Sequence, residues 1–190
     1  LVESRSVPDH LERYLGAIDA GWSDETTPHG LKVVSFKNQP TDQITTYSTL
    51  GMSEFALALP GDRSIRQELV MSVHENSSAG DIANILLNCA DYILERKRAV
   101  LRGEVINFRR PLVPGGTVTA AYATNPTPFE REFSELSCFE PPVLFVLLIP
   151  ITERESDLIR QEGWSCYEDL LEKQDPDIWD LKRSEDVYIA

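Results

Sequence analysis

The residues able to do chemistry are few and scattered. A hydrolase needs a nucleophile, a base and a group to orient the base, yet His10, His29 and His74 lie far apart and no serine sits in a G-x-S-x-G turn. His74 with Glu75 is a fragment of H-E-x-x-H, and without a second histidine at the required spacing it reads as a surface or hydrogen-bonding residue. No P-loop and no G-x-G-x-x-G is present, so the local geometry for phosphates or a dinucleotide is missing. Cys89, Cys138 and Cys166 are odd in number, widely spaced and free of any C-x-x-C pair, the pattern of reduced thiols in a cytoplasmic protein rather than of disulfides or zinc. The expectation is no enzyme, no cofactor and no metal.

Charge is the stronger signal. Asp175, Asp177 and Asp180, preceded by Glu168 and Glu172, could hold a divalent cation, but they lack EF-hand spacing, and Pro176 and Trp179 interrupt them. A solvated turn with helix-capping aspartates accounts for them better than a cation site does. From residue 151 to 190 there are five basic and 12 acidic residues, over half of the chain's net charge of −13. If exposed, this stretch is an acidic face suited to a basic partner, with Asp175, Asp177, Trp179 and Asp180 as candidate contacts. The opposite bias at Arg96, Lys97, Arg98, Arg102, Arg109 and Arg110 could meet phosphate. A helix C-terminus also favours cations, and no interleaved aromatics suggest stacked bases, so nucleic acid is not expected as a partner.

The elements that must position these residues follow from periodicity. Leu11, Tyr14, Leu15 and Ile18 predict a first helix ending at Gly21. Strands are predicted over 31–36, 44–50 and 68–73, with turn residues between them. Gly80 and Asp81 introduce a long helix to about Ala99, whose stripe of Ile82, Ile85, Leu86, Cys89, Ile93 and Leu94 should pack across the sheet. Short strands at 105–108 and 117–123 flank the turn at Pro114–Gly116. The apolar run Val143 to Ile149, closed by Pro150, reads as a strand covered on both faces and as the sheet centre. Thr152 with Glu155, and Ser165 with Glu168, have capping-box spacing and predict two further helices, the first stopped by Gly163 and the second unable to pass Pro176.

The chain has 190 residues, 42% of them hydrophobic and 26% charged, which suits one domain, 1–190, with a sizeable core. The fold class is α+β, a mixed, mainly antiparallel sheet with helices packed against it. No apolar run approaches the length needed to cross a bilayer, so no membrane partner is expected. No secretory signal is visible, although the chain begins at Leu1 and processing could have removed one. Oligomeric state cannot be read from these patterns.

Several blocks occur in order: T-Y-S-T-L-G-M-S (Thr46–Ser53), R-Q-E-L-V-M-S (Arg66–Ser72), A-D-Y-I-L-E (Ala90–Glu95) and R-G-E-V-I (Arg102–Ile106). L-L-I-P-I-T-E-R-E (Leu147–Glu155), Gly163 and W-D-L-K-R-S-E (Trp179–Glu185) follow. Together they resemble the Suppressor of fused domain family from about Gly30 onward, and the chain looks like its bacterial single-domain type. The resemblance implies a non-catalytic α+β domain that binds protein. It suggests an immunity protein that neutralises a cognate toxin of a polymorphic toxin system, its partner a basic toxin domain. The alternative is a regulatory peptide-binding module that sequesters a protein partner. Tyr92 and Glu104 align with the tyrosine and acidic residue that help receive the partner peptide in animal members, Glu104 standing where the family has aspartate. A phenol offers apolar area and a hydroxyl, and a carboxylate accepts charge-assisted bonds. Equally, Tyr92 could belong to its helix's packed face and Glu104 could offset Arg102 or Arg109.

Overall fold

The computed structural model describes residues 6–23, 28–183 and 186–188. In chain order, helix α1 (Val7–Leu15) leads to strands β1 (Ala20–Ser23), β2 (Lys32–Lys37), β3 (Ile44–Leu50), β4 (Leu57–Leu59) and β5 (Arg63–His74), then helix α2 (Ala79–Arg96). Strands β6 (Val105–Asn107), β7 (Val118–Thr124), β8 (Glu135–Leu136) and β9 (Val143–Thr152) follow, and helices α3 (Glu153–Glu162) and α4 (Trp164–Gln174) come last. The fold is α+β, with a mixed, mainly antiparallel sheet. The chain forms two compact units, Leu1–Val100 with Asn125–Leu147, and Leu101–Thr124 with Leu148–Ala190.

In the first unit β1, β2, β3 and β5 are successive antiparallel neighbours, and β5 runs parallel to the start of β9, Arg66 opposite Val143 and Val70 opposite Leu147. All six residues of the predicted stripe on α2 are buried, and the helix packs on β2, β3 and β5. Each such side chain, fully buried, stabilises by roughly 1.5–3 kcal/mol. The Ser78 hydroxyl accepts the Asp81 N–H to start α2, and Lys97 ends it in the left-handed conformation. The first helix is shorter than its periodicity suggests. Gly16, at φ 84, stops it by returning its N–H to Glu12, so Ile18 lies beyond the helix and Gly21 belongs to β1. Beneath α1 the His10 ring stacks on Phe145 at 4.8 Å, and its Nε2 bonds the Phe133 carbonyl at 3.0 Å. Burial pushes its pKa down, so this histidine is a neutral core residue.

In the second unit β6 and β7 are antiparallel, and β7 lies beside β9. Strand β9 is buried almost throughout, as its continuous apolar run requires, but Pro150 does not close it. Proline fits an extended backbone and forfeits only its own N–H, so the strand continues to Thr152. Thr152 and Glu155 form the predicted capping box: the Thr152 Oγ1 accepts the Glu155 N–H at 3.3 Å and Glu155 Oε2 accepts the Thr152 N–H at 2.8 Å. The second predicted box does not form. Gly163 is the N-cap of α4 as well as the C-cap of α3, no side chain caps α4, and Ser165 already lies inside it. Glu168 is drawn elsewhere.

Candidate partner-binding surface

Helix α2 turns its apolar stripe inward and leaves Tyr92 39% exposed on the first unit. The packed-face reading of this residue therefore does not hold. The Arg96 guanidinium, one turn on, lies 3.6 Å from the ring centroid, an i, i+4 cation–π contact that keeps the phenol in one orientation. Arg96, Lys97 and Arg98 gather where α2 ends, at the negative end of its dipole, as the structural reading of the basic cluster requires. Glu104 belongs to the second unit and closes a turn: its Oε2 accepts the Leu101 N–H at 2.9 Å, and its own N–H bonds the Leu101 carbonyl at 3.0 Å. Arg102 pairs with Glu168.

The aspartates after α4 act first on their own backbone. Asp175 ends the helix in the left-handed conformation. Asp177 Oδ1 accepts the Trp179 N–H at 3.2 Å, and Asp180 Oδ1 accepts the Lys182 N–H at 2.8 Å, two Asx turns in succession. Asp175 and Asp177 are exposed, and Trp179 and Asp180 are half-buried. Among the described residues no group of three or more His, Cys, Asp or Glu is arranged to hold a metal ion. This is a carboxylate-rich turn presented to solvent. Ser184 and Glu185, which complete the last motif, lie outside the described residues.

Sequence spacing missed the polar hub of the second unit. Glu168 accepts hydrogen bonds from the Tyr122 hydroxyl at 2.7 Å and the Thr124 hydroxyl at 2.9 Å, and both of its oxygens take the Arg102 guanidinium. Arg102 lies 4.6 Å from the Trp164 ring centroid. Trp164, 40% exposed, leans on Gly103 so closely that a Cβ built there would stand 2.5 Å from Cδ1 of the indole. Gly103 also has φ +95, which L side chains rarely adopt. Gly103→Ala is therefore expected to cost about 2 kcal/mol or more and to expel the indole. Denaturant midpoint and tryptophan emission together check this, since strain without expulsion would leave the emission unchanged.

Burial alone would raise the Glu168 carboxyl, but bonds from Arg102, Tyr122 and Thr124 outweigh it and hold its pKa below the ordinary 4.5. A folded-state pKa below the unfolded value gives stability that is present above the unfolded pKa and is lost as pH falls through the folded one. Glu168→Gln has no such loss. The wild-type advantage in Tm over Glu168→Gln should hold near about pH 7 and shrink as pH drops below about 4.5. A pH-independent difference would contradict the assignment.

Other motif residues meet in the interior. Glu155 and Arg183 form a salt bridge with side chains 0% and 3% exposed, and Arg183 also donates to the Pro150 carbonyl at 2.9 Å. In the first unit Glu68 of one block accepts from Thr49, Gly51 and Ser53 of another. These bonds within and between the blocks hold the fold.

The sequence profile of the Suppressor of fused protein (SUFU) family matches residues 27–184. Immunity protein YqcF of Bacillus subtilis (strain 168) is 28% identical over 163 residues, which cover 84% of this chain and 83% of that one. The fold is similar to that of a SUFU homolog from Neisseria gonorrhoeae FA 1090, with TM-score 0.76, 18% identity and 95% and 94% of the two chains covered. It is similar as well to a chain of the Sufu–Fu complex, with TM-score 0.72, 13% identity and 95% and 90% covered. Drosophila Suppressor of Fused gives TM-score 0.73 at 12% identity, with 96% of this chain matching 50% of that longer one. With its blocks in order and most of its length matched, this chain belongs to the Suppressor of fused protein family.

Proposed function

We propose that this chain is a cytoplasmic immunity protein that binds and neutralises a toxin domain without bond chemistry. The observation that carries the reading is the similarity to Immunity protein YqcF across more than four-fifths of both chains. The electrostatics supply a mechanism. Residues 151–190 carry most of a net charge of −13, and their acids include the exposed turn at Asp175 and Asp177. Such a surface accelerates encounter with a basic toxin domain, and aromatic anchors then set the lifetime of the complex. Trp179 and Asp180 belong to the same turn. Calorimetric titration with the purified C-terminal domain of the toxin encoded beside this gene tests the reading. A stoichiometric complex whose affinity falls as salt rises is expected. No binding to any neighbouring effector would contradict it.

A second reading has the open ring of Tyr92 behind it: a regulatory module that sequesters a peptide segment, with Tyr92 and Glu104 as contacts. Under that reading Tyr92→Ala and Glu104→Ala weaken binding of a short isolated peptide, whereas an immunity complex requires the folded toxin surface.

A further inference from the structure

Three consecutive residues of the second unit are each tied to a helix. Asp186 Oδ2 accepts from Arg154 of α3 at 3.3 Å, and the Val187 N–H bonds Glu155 Oε1 of α3 at 3.0 Å. The Gln174 amide of α4 then grips the backbone of Tyr188 from both sides, accepting its N–H at 3.2 Å and donating to its carbonyl. Ordering a backbone residue opposes folding by about 1–2 kcal/mol, and three bonds to the main chain of Val187 and Tyr188 tether this stretch against that cost. Yet the Tyr188 side chain is 63% exposed, the most open large hydrophobic side chain among the described residues. A rigid backbone that presents an aromatic ring to water is the arrangement of an anchor awaiting a partner.

Beside the ring lies a groove of ≈ 820 Å³ bounded by α3, α4 and residues 186–188. Leu158, Pro176 and Val187 supply its apolar lining, and Asp157, Glu162 and Asp186 its carboxylates. Arg154, the cation on this wall, is engaged with Asp186. Asp157 meets Arg160 at 2.8 Å, but both are well exposed and the pair is weak. Asp157, Glu162 and Asp186 outnumber Arg154 on this wall, so an acidic occupant would be repelled, whereas a basic one is complementary both to the wall and to the net charge of −13. The ring face of Tyr188 adds a cation–π contact for a guanidinium or ammonium group.

We propose that this groove docks an extended segment of a protein partner in which arginine or lysine alternates with apolar side chains, and that Tyr188 is its anchor. The proposal rests on the protein-binding reading above and adds a location and a recognition chemistry to it.

The test uses the full chain and a fluorescent peptide of alternating arginine and leucine, with a glutamate–leucine peptide of equal length beside it. The arginine peptide should bind, perturb the backbone amide resonances of Gln174, Val187 and Tyr188, and weaken as salt rises. The glutamate peptide should not bind. Tyr188→Ala, an exposed site whose backbone bonds survive the change, and separately Asp157→Lys with Glu162→Lys, should each weaken binding about 10-fold. Unchanged affinity in both variants, or perturbation confined to other residues, overturns the proposal. The same variants assayed against the neighbouring toxin separate the two claims. Full protection with unaltered affinity would discard the groove and leave immunity standing. Peptide capture here by a wild type that protects against no toxin would discard immunity and support the groove.

Discussion

Arg183→Met is expected to remove about 3–5 kcal/mol of stability, the range for breaking a buried ion pair from one side. Both oxygens of Glu155 are engaged. Oε2 takes the Thr152 N–H and Arg183, and Oε1 takes the Val187 N–H. Arg183 in turn reaches the Pro150 carbonyl. Removing the guanidinium leaves a carboxylate that is 0% exposed without its counter-charge. For a chain of this size the loss corresponds to about 6 °C or more in Tm. Glu155→Gln combined with Arg183→Met should recover part of it, because no buried charge is left over, although the single amide oxygen can replace only one of the two oxygens that take the Thr152 and Val187 N–H groups. Chemical denaturation of both variants checks the claim. A single-variant loss under about 1 kcal/mol would mean that the pair behaves like an exposed one.

Glu68→Leu is the second large loss, expected at about 3 kcal/mol or more. Glu68 is 0% exposed and takes three donors: the Thr49 hydroxyl at 2.6 Å, and the Gly51 and Ser53 N–H groups at 3.0 Å each. Thr49 Oγ1 also accepts the Leu69 N–H at 2.8 Å, so the network ties the end of β3 and the turn after it to the middle of β5. Arg66 closes the same turn through the Ser53 and Glu54 carbonyls at 2.8 and 2.9 Å. Burial pushes the Glu68 carboxyl above its ordinary pKa and the donors pull it back only in part. Leucine fills the space but orphans two amides and a hydroxyl. Glu68→Gln keeps an acceptor for the amides and should cost about 1 kcal/mol, so the order of denaturation midpoints is wild type, glutamine, leucine.

These two networks show which parts of the molecule local sequence can reveal. The capping box at Thr152 and Glu155 was readable because both partners lie within one helical turn, and the α2 stripe because its period is that of the helix. The long strand β9 was readable from apolar continuity, though its passage through Pro150 was not. What failed were pairings across distance. Ser165 and Glu168 have the spacing of a cap, yet Glu168 finds better donors 66, 46 and 44 residues away in Arg102, Tyr122 and Thr124. Gly21 and Gly16 are both reasonable helix stops by residue type, and the chain used the earlier one. The short strands β1, β4 and β8 are held by their neighbours rather than by any pattern of their own.

The candidate surface divides along the same line. Asp175, Asp177 and Asp180 were visible as a charged turn, and the turn forms through bonds to the next residues. Tyr92 and Glu104 came from family resemblance. The structure leaves the first open on α2 and involves the second in the turn that follows Leu101. Trp164 and Tyr188 carried no signal in the sequence, because their exposure depends on Gly103, Arg102 and Gln174 brought to them by the fold.

The central claim, neutralisation of a toxin by binding, is tested most directly by growth. Cells expressing the neighbouring toxin domain from an inducible promoter are compared with and without this chain. The account predicts survival with wild type at one-to-one expression and death without it. Equal killing in both cultures, with the folded protein present at that level, would contradict it.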